Sequence, residues 1–139
     1  MTGEADRVPL ALIIEDDDKL SIIFTEALRQ AGFDTRVIHD GAEALTAIQT
    51  CQPAVVILDL HLPHVSGDEI LRAIRQTDSL AHTRVIITTA DATLAETLRP
   101  QSDLILIKPI SFLQLRDVAR QMRAAIPATA DQAARPGNS

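Results

Sequence analysis

A doubly wound α/β domain built on a five-stranded parallel sheet is the fold this sequence predicts, and three observations predict it. Five short apolar runs recur along the chain: "LALII" at 10–14, "TRVI" at 35–38, "AVVIL" at 54–58, "RVIIT" at 84–88 and "LILI" at 104–107. Each has strand length, and the continuous apolar character is that of strands buried on both faces. Segments of helical spacing lie between them, and parallel strands need such crossovers. The ionisable residues, finally, cluster where the apolar runs end, which in open α/β sheets is the ligand crevice.

The elements follow in order. Leu20, Ile23, Phe24, Ala27, Leu28 and Ala31 recur at three and four residues, making one amphipathic helix that stops at Gly32. The second helix opens at "DGAE", where Asp40 caps and Glu43 answers three residues later; Ala44, Leu45 and Ile48 form its inner face and Pro53 closes it. A third begins after "SGDE" and runs through Ile70, Leu71 and Ile74 toward Thr77. The fourth has only Ala92 to Leu98 to occupy, so it must be short or irregular. The last starts at "SFLQL", a Ser-x-x-Gln capping box, and continues through Leu115, Val118, Ala119 and Met122 to about Ala125. The folded domain is therefore expected over 9–125, with a flexible N-terminus at 1–8 and a disordered tail at 126–139, where Pro, Ala and Gly occur without periodicity.

Length and composition narrow the function. A chain of 139 residues suits one domain, and 46% hydrophobic content with three Phe, no Trp and no Tyr makes the core aliphatic. The net charge of -6, without a Lys/Arg run, argues against direct nucleic-acid binding and suits an acidic metal site. The lone Cys51 has no disulfide partner and is expected as a small, half-buried helix-end residue. The start of the chain lacks signal-peptide character and no run approaches a membrane span, so a soluble cytoplasmic protein without membrane insertion is expected.

The first strand ends at "IIEDDD", placing Glu15, Asp16 and Asp17 at the crevice, although Asp17 and Asp18 equally suit the start of the following helix. The third strand ends at Asp59, the fourth at Thr88 and Thr89, the fifth at Lys108 and Pro109. Carboxylates from neighbouring strand ends repel unless a cation lies between them. Mg²⁺ suits, because it takes oxygen ligands through one or two carboxylates and keeps waters for phosphate oxygens. Lys108 adds a point charge for a phosphoryl oxygen, Thr89 a hydroxyl, and Ala90 leaves room for a donor to approach. Asp59 then reads as a nucleophile, a carboxylate able to form an aspartyl phosphate. Thr88 is assigned to packing. His61 and His64, in a loop broken by Pro63, lack the spacing of a histidine metal site.

This ordered set resembles the receiver domains of two-component response regulators: Glu15-Asp16 after the first strand, Asp59 in "ILDLHLP" with "SG" following, Thr89-Ala90 after the fourth strand, and "KP" at Lys108-Pro109. The resemblance covers about residues 9–125. It implies a flavodoxin-like fold of strand order 2-1-3-4-5 and a stand-alone phosphoprotein of phosphorelay signal transduction. Asp59 would accept a phosphoryl group from a histidine kinase or phosphotransfer protein, with Mg²⁺ held by Asp16, Asp59, the His61 backbone carbonyl and, through water, Glu15. Thr89 and Lys108 would grip the phosphoryl oxygens; His61 and Asp91 would flank the site and influence dephosphorylation. Such a domain is no metabolic enzyme, since its phosphotransfer and autodephosphorylation are self-catalysed. No output domain is legible, so signalling is expected through an unknown downstream protein, with a homodimer compatible with this reading.

Two departures stand out. Receivers usually carry Tyr or Phe three residues before the Lys, where this chain has Ile105, and the stretch from Thr89 to Lys108 is shorter than the family norm, with "RPQSD" before the fifth strand. The rivals are a pseudo-receiver that binds protein partners without phosphorylation, a haloacid-dehalogenase-like hydrolase, and a nucleotide or flavin binder. The hydrolase would need a second Asp where His61 stands, and the nucleotide binder a Gly-rich loop after the first strand.

Overall fold

The computed structural model describes residues 8–126; apart from Val8 and Ile126, the expectations for the two termini lie outside those residues. Five strands, β1 (Leu10–Ile14), β2 (Asp34–Ile38), β3 (Val55–Asp59), β4 (Arg84–Thr89) and β5 (Leu104–Ile107), alternate with α1 (Asp18–Gln30), α2 (Gly41–Cys51), α3 (Gly67–Gln76), α4 (Ala92–Leu98) and α5 (Phe112–Ala125). All pairings are parallel, in the order β2-β1-β3-β4-β5. The chain reverses direction across the sheet between β1 and β3, and that switch point opens a crevice at the carboxyl ends of these strands.

Strand alternation builds two aliphatic layers. Leu12, Ile14, Val56, Leu58, Val85 and Ile87 pack against Ala44 and Ile48 of α2 and Ile70, Leu71 and Ile74 of α3. Ala11, Ile13, Val55, Ile57, Ile86 and Leu106 pack on the other face against Phe24, Ala27 and Leu28 of α1 and Leu115 and Ala119 of α5. Every residue of β3 is buried, as expected of a central strand flanked on both sides.

Local signals act as predicted in most places. Asp40 Oδ2 accepts from the Glu43 N–H at 3.0 Å and Ser111 Oγ from the Gln114 N–H at 3.0 Å, so the forward half of each capping box forms. Cys51 ends α2 half-buried, its Sγ accepting from Arg36 Nη1 at 2.9 Å. Several expectations need adjustment. The β3 and β4 strands end at Asp59 and Thr89, as expected, because ladder pairing continues through these polar residues, whereas β2 begins one residue before its apolar run, at Asp34. The α3 helix begins within "SGDE", at Gly67, with Ser66 at its cap position. Ile23 is 38% exposed at the margin of the α1 stripe, while Ser21 is buried and bonds the Asp18 carbonyl at 2.9 Å.

The short α4 gives way to a 3₁₀ turn, Arg99–Gln101, that contains Pro100. Arg75 at the end of α3 clamps this segment, donating from Nε to the Gln101 carbonyl at 2.7 Å, from Nη1 to the Thr83 carbonyl at 2.9 Å and from Nη2 to Asp103 Oδ2 at 3.0 Å. Asp103 Oδ2 also accepts from the Val85 N–H at 2.7 Å. A fork of planar donors thus fixes how β5 begins beside β4.

The β3–α3 connection doubles back tightly. The Gly67 N–H donates to the Leu60 carbonyl at 3.2 Å, and a Cβ at Gly67 would lie 2.5 Å from the Asp59 carbonyl oxygen and 2.7 Å from Leu60 Cα. Gly67→Ala must therefore push the backbone at Asp59, and we expect it to destabilise the domain by about 1–3 kcal/mol, read as a lowered urea midpoint. An unchanged midpoint would mean the loop has slack that its close packing denies.

Candidate functional site

Three strand ends bring the charged groups together. The Glu15 N–H donates to the Ile38 carbonyl at 3.0 Å, continuing the ladder beyond β1 and turning the Glu15 side chain, 1% exposed, to the face that carries Ile13. Asp59, 3% exposed, projects from the same face at the end of β3. Asp16 follows Glu15 and is exposed at the rim. Carboxylate oxygens of Glu15, Asp16 and Asp59 all lie within 4.8 Å of one another. From β5, the Lys108 N–H donates to the Thr89 carbonyl at 2.8 Å, and its ammonium stands 3.2 Å from Glu15 Oε1 and 3.4 Å from Asp59 Oδ1.

Burial and the neighbouring Asp59 carboxylate push the Glu15 carboxyl up to about 7, against the downward pull of the Asp17 N–H and Lys108. Burial works to lower the Lys108 ammonium, yet Asp59 and Glu15 outweigh it and hold it above its ordinary range. One lysine therefore faces two buried carboxylates, with a third at the rim. This donor set of clustered carboxylate oxygens fits a hard divalent cation.

The surrounding polar contacts fix the walls. Glu15 Oε2 accepts from the Asp17 N–H at 3.1 Å, while Asp17 Oδ1 caps α1 through the Leu20 N–H at 2.9 Å. His39 Nδ1 is 2.8 Å from the Glu15 carbonyl and so donates to it. The His61 N–H donates to Asp59 Oδ1 at 3.3 Å, its side chain exposed above the crevice.

Of the residues expected at the site, Glu15, Asp16, Asp59 and Lys108 meet, and His61 reaches Asp59 through its N–H, not its carbonyl. Thr89 is fully buried at the end of β4, with Oγ1 accepting from the Asp91 N–H at 3.0 Å; strand alternation places it on the sheet face opposite Asp59. Ala90 is exposed beside it. Asp91 caps α4, its Oδ1 accepting from the Leu94 N–H at 3.0 Å. His64, at φ 71°, pairs through Nδ1 with Asp40, the cap of α2, which ties the loop after Asp59 to the neighbouring helix. The sequence reading overlooked His39, whose contact joins residues 24 apart, and the orientation of Thr88, which a count of alternation from Ile86 would have supplied.

An acidic crevice beside a lysine thus lies at the switch point of a flavodoxin-like doubly wound sheet. The family model for the response regulator receiver domain matches residues 11–120. The chain belongs to that family. It is 34% identical over 123 residues to the DNA-binding response regulator MtrA of Mycolicibacterium smegmatis, covering 88% of this chain and 53% of that protein. The transcriptional regulatory protein TrcR of Mycobacterium tuberculosis is 34% identical over 114 residues, 80% of this chain and 44% of that protein. The chain thus spans about half the length of these curated relatives. Among solved structures, the Francisella response regulator 1452 receiver domain superposes with a TM-score of 0.74 at 30% identity, covering 86% of this chain and 99% of that one. The receiver domain of sensor histidine kinase PA1611 from Pseudomonas aeruginosa, solved with magnesium coordinated in its active-site cleft, shares the fold with a TM-score of 0.74 at 21% identity, over 84% and 98% of the two chains. No helix among the described residues is long and apolar enough to cross a membrane.

The raised Glu15 pKa sets a pH dependence. Between its ordinary 4.5 and about 7 the folded state holds a proton that the unfolded chain has released, so the cation-free protein loses stability as pH rises through this window. Over the whole window the loss is at most roughly 3 kcal/mol. Urea unfolding at pH 5 and pH 8 should show the decline, and Glu15→Gln should flatten it; an equal slope in the variant would remove Glu15 as its source.

Proposed function

We propose that this domain is a Mg²⁺-dependent phosphoacceptor, in which Asp59 takes a phosphoryl group from a histidine kinase or phosphorelay protein and the phosphorylated surface signals through protein contacts. The observation that carries this reading is the buried Asp59 carboxylate beside Glu15 and Asp16 with the Lys108 ammonium 3.4 Å from Oδ1. A carboxylate so placed is a nucleophile surrounded by charge complementary to a phosphoryl group.

An Asp59 oxygen forms a bond to phosphorus as the bond to the donor's imidazole nitrogen breaks, and the ring leaves with that electron pair and takes up a proton. Asp16, Asp59 and the His61 carbonyl would hold the metal, with Glu15 acting through water, and Mg²⁺ held there would supply positive charge to the transferring oxygens. Lys108 turns from the carboxylates to one phosphoryl oxygen, and Thr89, whose Oγ1 accepts from the Asp91 N–H and keeps its own proton to give, turns at the end of β4 from the opposite face to donate to another. His61 and Asp91 border the path of the water that later hydrolyses the acyl phosphate. With Ile105 half-buried among the α2–α4 core side chains, coupling to the surface proceeds without an aromatic switch.

The reaction is self-catalysed phosphotransfer and autodephosphorylation within a signalling module. The net charge of -6 favours protein over nucleic acid as the domain's own partner, and the reading places it in the cytoplasm, where kinases act.

Intact-protein mass after incubation with acetyl phosphate and Mg²⁺ should show one added phosphoryl group, absent with a chelator and in Asp59→Asn. Lys108→Ala should slow the gain by about 10²-fold, the scale for removing one preorganised donor to developing charge. No gain in the folded wild type would make the domain a pseudo-receiver that binds partners constitutively. Separately, His61→Asn should alter the lifetime of the phosphorylated form severalfold by mass-resolved decay; an unchanged lifetime would exclude His61 from hydrolysis.

A further inference from the structure

Thr88 carries a buried hydroxyl for which the fold supplies no partner. It is fully buried, and Oγ1 is the one buried side-chain oxygen or nitrogen among the described residues that lacks a hydrogen bond. Buried polar groups are nearly always paired, so an orphan at a reactive site calls for a physical reason.

Its position supplies one. Thr88 is the register partner of Asp59 across the β3–β4 ladder, and neighbouring strands in a sheet lie about 4.8 Å apart. The preceding pair in alternation, Ile57 and Ile86, lies in the layer facing α1 and α5, so Asp59 and Thr88 project side by side from that same face. Across the other ladder Thr88 pairs with Leu106, two residues before Lys108. Thr88 therefore stands in the wall beneath the charged cluster, whereas the adjacent Thr89 faces the opposite layer and is engaged with Asp91. In this state Asp59 Oδ1 is occupied by the Lys108 ammonium and the His61 N–H.

We propose that Thr88 is a positioning residue for Asp59: its hydroxyl donates to the Asp59 carboxylate once a bound cation or phosphoryl group draws Lys108 away from Oδ1. Rotation about the Thr88 Cα–Cβ bond exchanges hydroxyl and methyl without moving the backbone. The orphan hydroxyl is then a donor held in reserve, and its cost in the cation-free state is recovered when the site fills. The kinetic part of this inference rests on Asp59 being the phosphoacceptor; the effect on cation binding does not.

The test compares wild type, Thr88→Val and Thr88→Ser by Mg²⁺ calorimetry, by the rate of phosphorylation at saturating acetyl phosphate, and by thermal midpoint. Valine removes the unpaired hydroxyl at constant shape, so its midpoint should rise. It should nevertheless weaken Mg²⁺ binding about threefold and slow phosphorylation about tenfold, the scale of one lost hydrogen bond to a charged group, with serine restoring both. Thr88→Ala should repeat the losses without the gain in midpoint. A raised midpoint with Mg²⁺ affinity and rate equal to wild type would overturn the proposal and leave Thr88 a packing residue. Wild type that binds Mg²⁺ but gains no phosphoryl group would remove the phosphoacceptor reading, while the Mg²⁺ comparison would still decide the role of Thr88. Wild type that binds no Mg²⁺ would overturn both.

Discussion

The repulsion among carboxylates at the carboxyl edge of the sheet is the constraint on which the rest of this structure depends. Glu15 and Asp59 are nearly excluded from water and face one lysine, with Asp16 at the rim. In a partly desolvated site that imbalance raises the Glu15 pKa and leaves the cluster short of positive charge. A fold assembled around such a site is biased toward taking up a cation, and whatever neutralises the acids also stabilises the domain.

Several features unrelated in sequence serve to keep those acids close. The parallel ladder fixes β1, β3 and β5 in register, so side chains from three strands emerge on one face. Gly67 lets α3 start against the backbone of Asp59, and the Asp40–His64 pair moors the intervening loop to α2. Arg75 performs the same service on the far side, where it sets the start of β5 and with it the direction from which Lys108 approaches. Rigid strands and moored loops hold the carboxylates in place despite their repulsion, which is the preorganisation that charge stabilisation needs.

Much of this was legible in the chain because it is local. The "LALII" and "LILI" runs coincide with β1 and β5, and the span left for the fourth helix, Ala92 to Leu98, is the span it occupies. The meeting of Glu15, Asp16, Asp59 and Lys108 followed from the rule that crevices form at strand ends. What escaped was non-local or depended on side-chain direction. The Arg75 clamp, the His39 contact with Glu15 and the His64 pair join residues far apart in sequence, and no spacing announces them. Side-chain direction was the other gap: counting alternation from Ile86 puts Thr88 on the face of Asp59 and Thr89 on the opposite one, a step that apolarity alone does not supply.

The central claim, that these acids form a cation site, is tested most directly by an anomalous difference map from crystals soaked in Mn²⁺. The account predicts a single strong peak bounded by the Asp16 and Asp59 carboxylates and the His61 carbonyl, with Glu15 one water away. A map without a peak there, from crystals in which the site is open to solvent, would contradict it and leave Lys108 as the sole counter-charge to the buried acids.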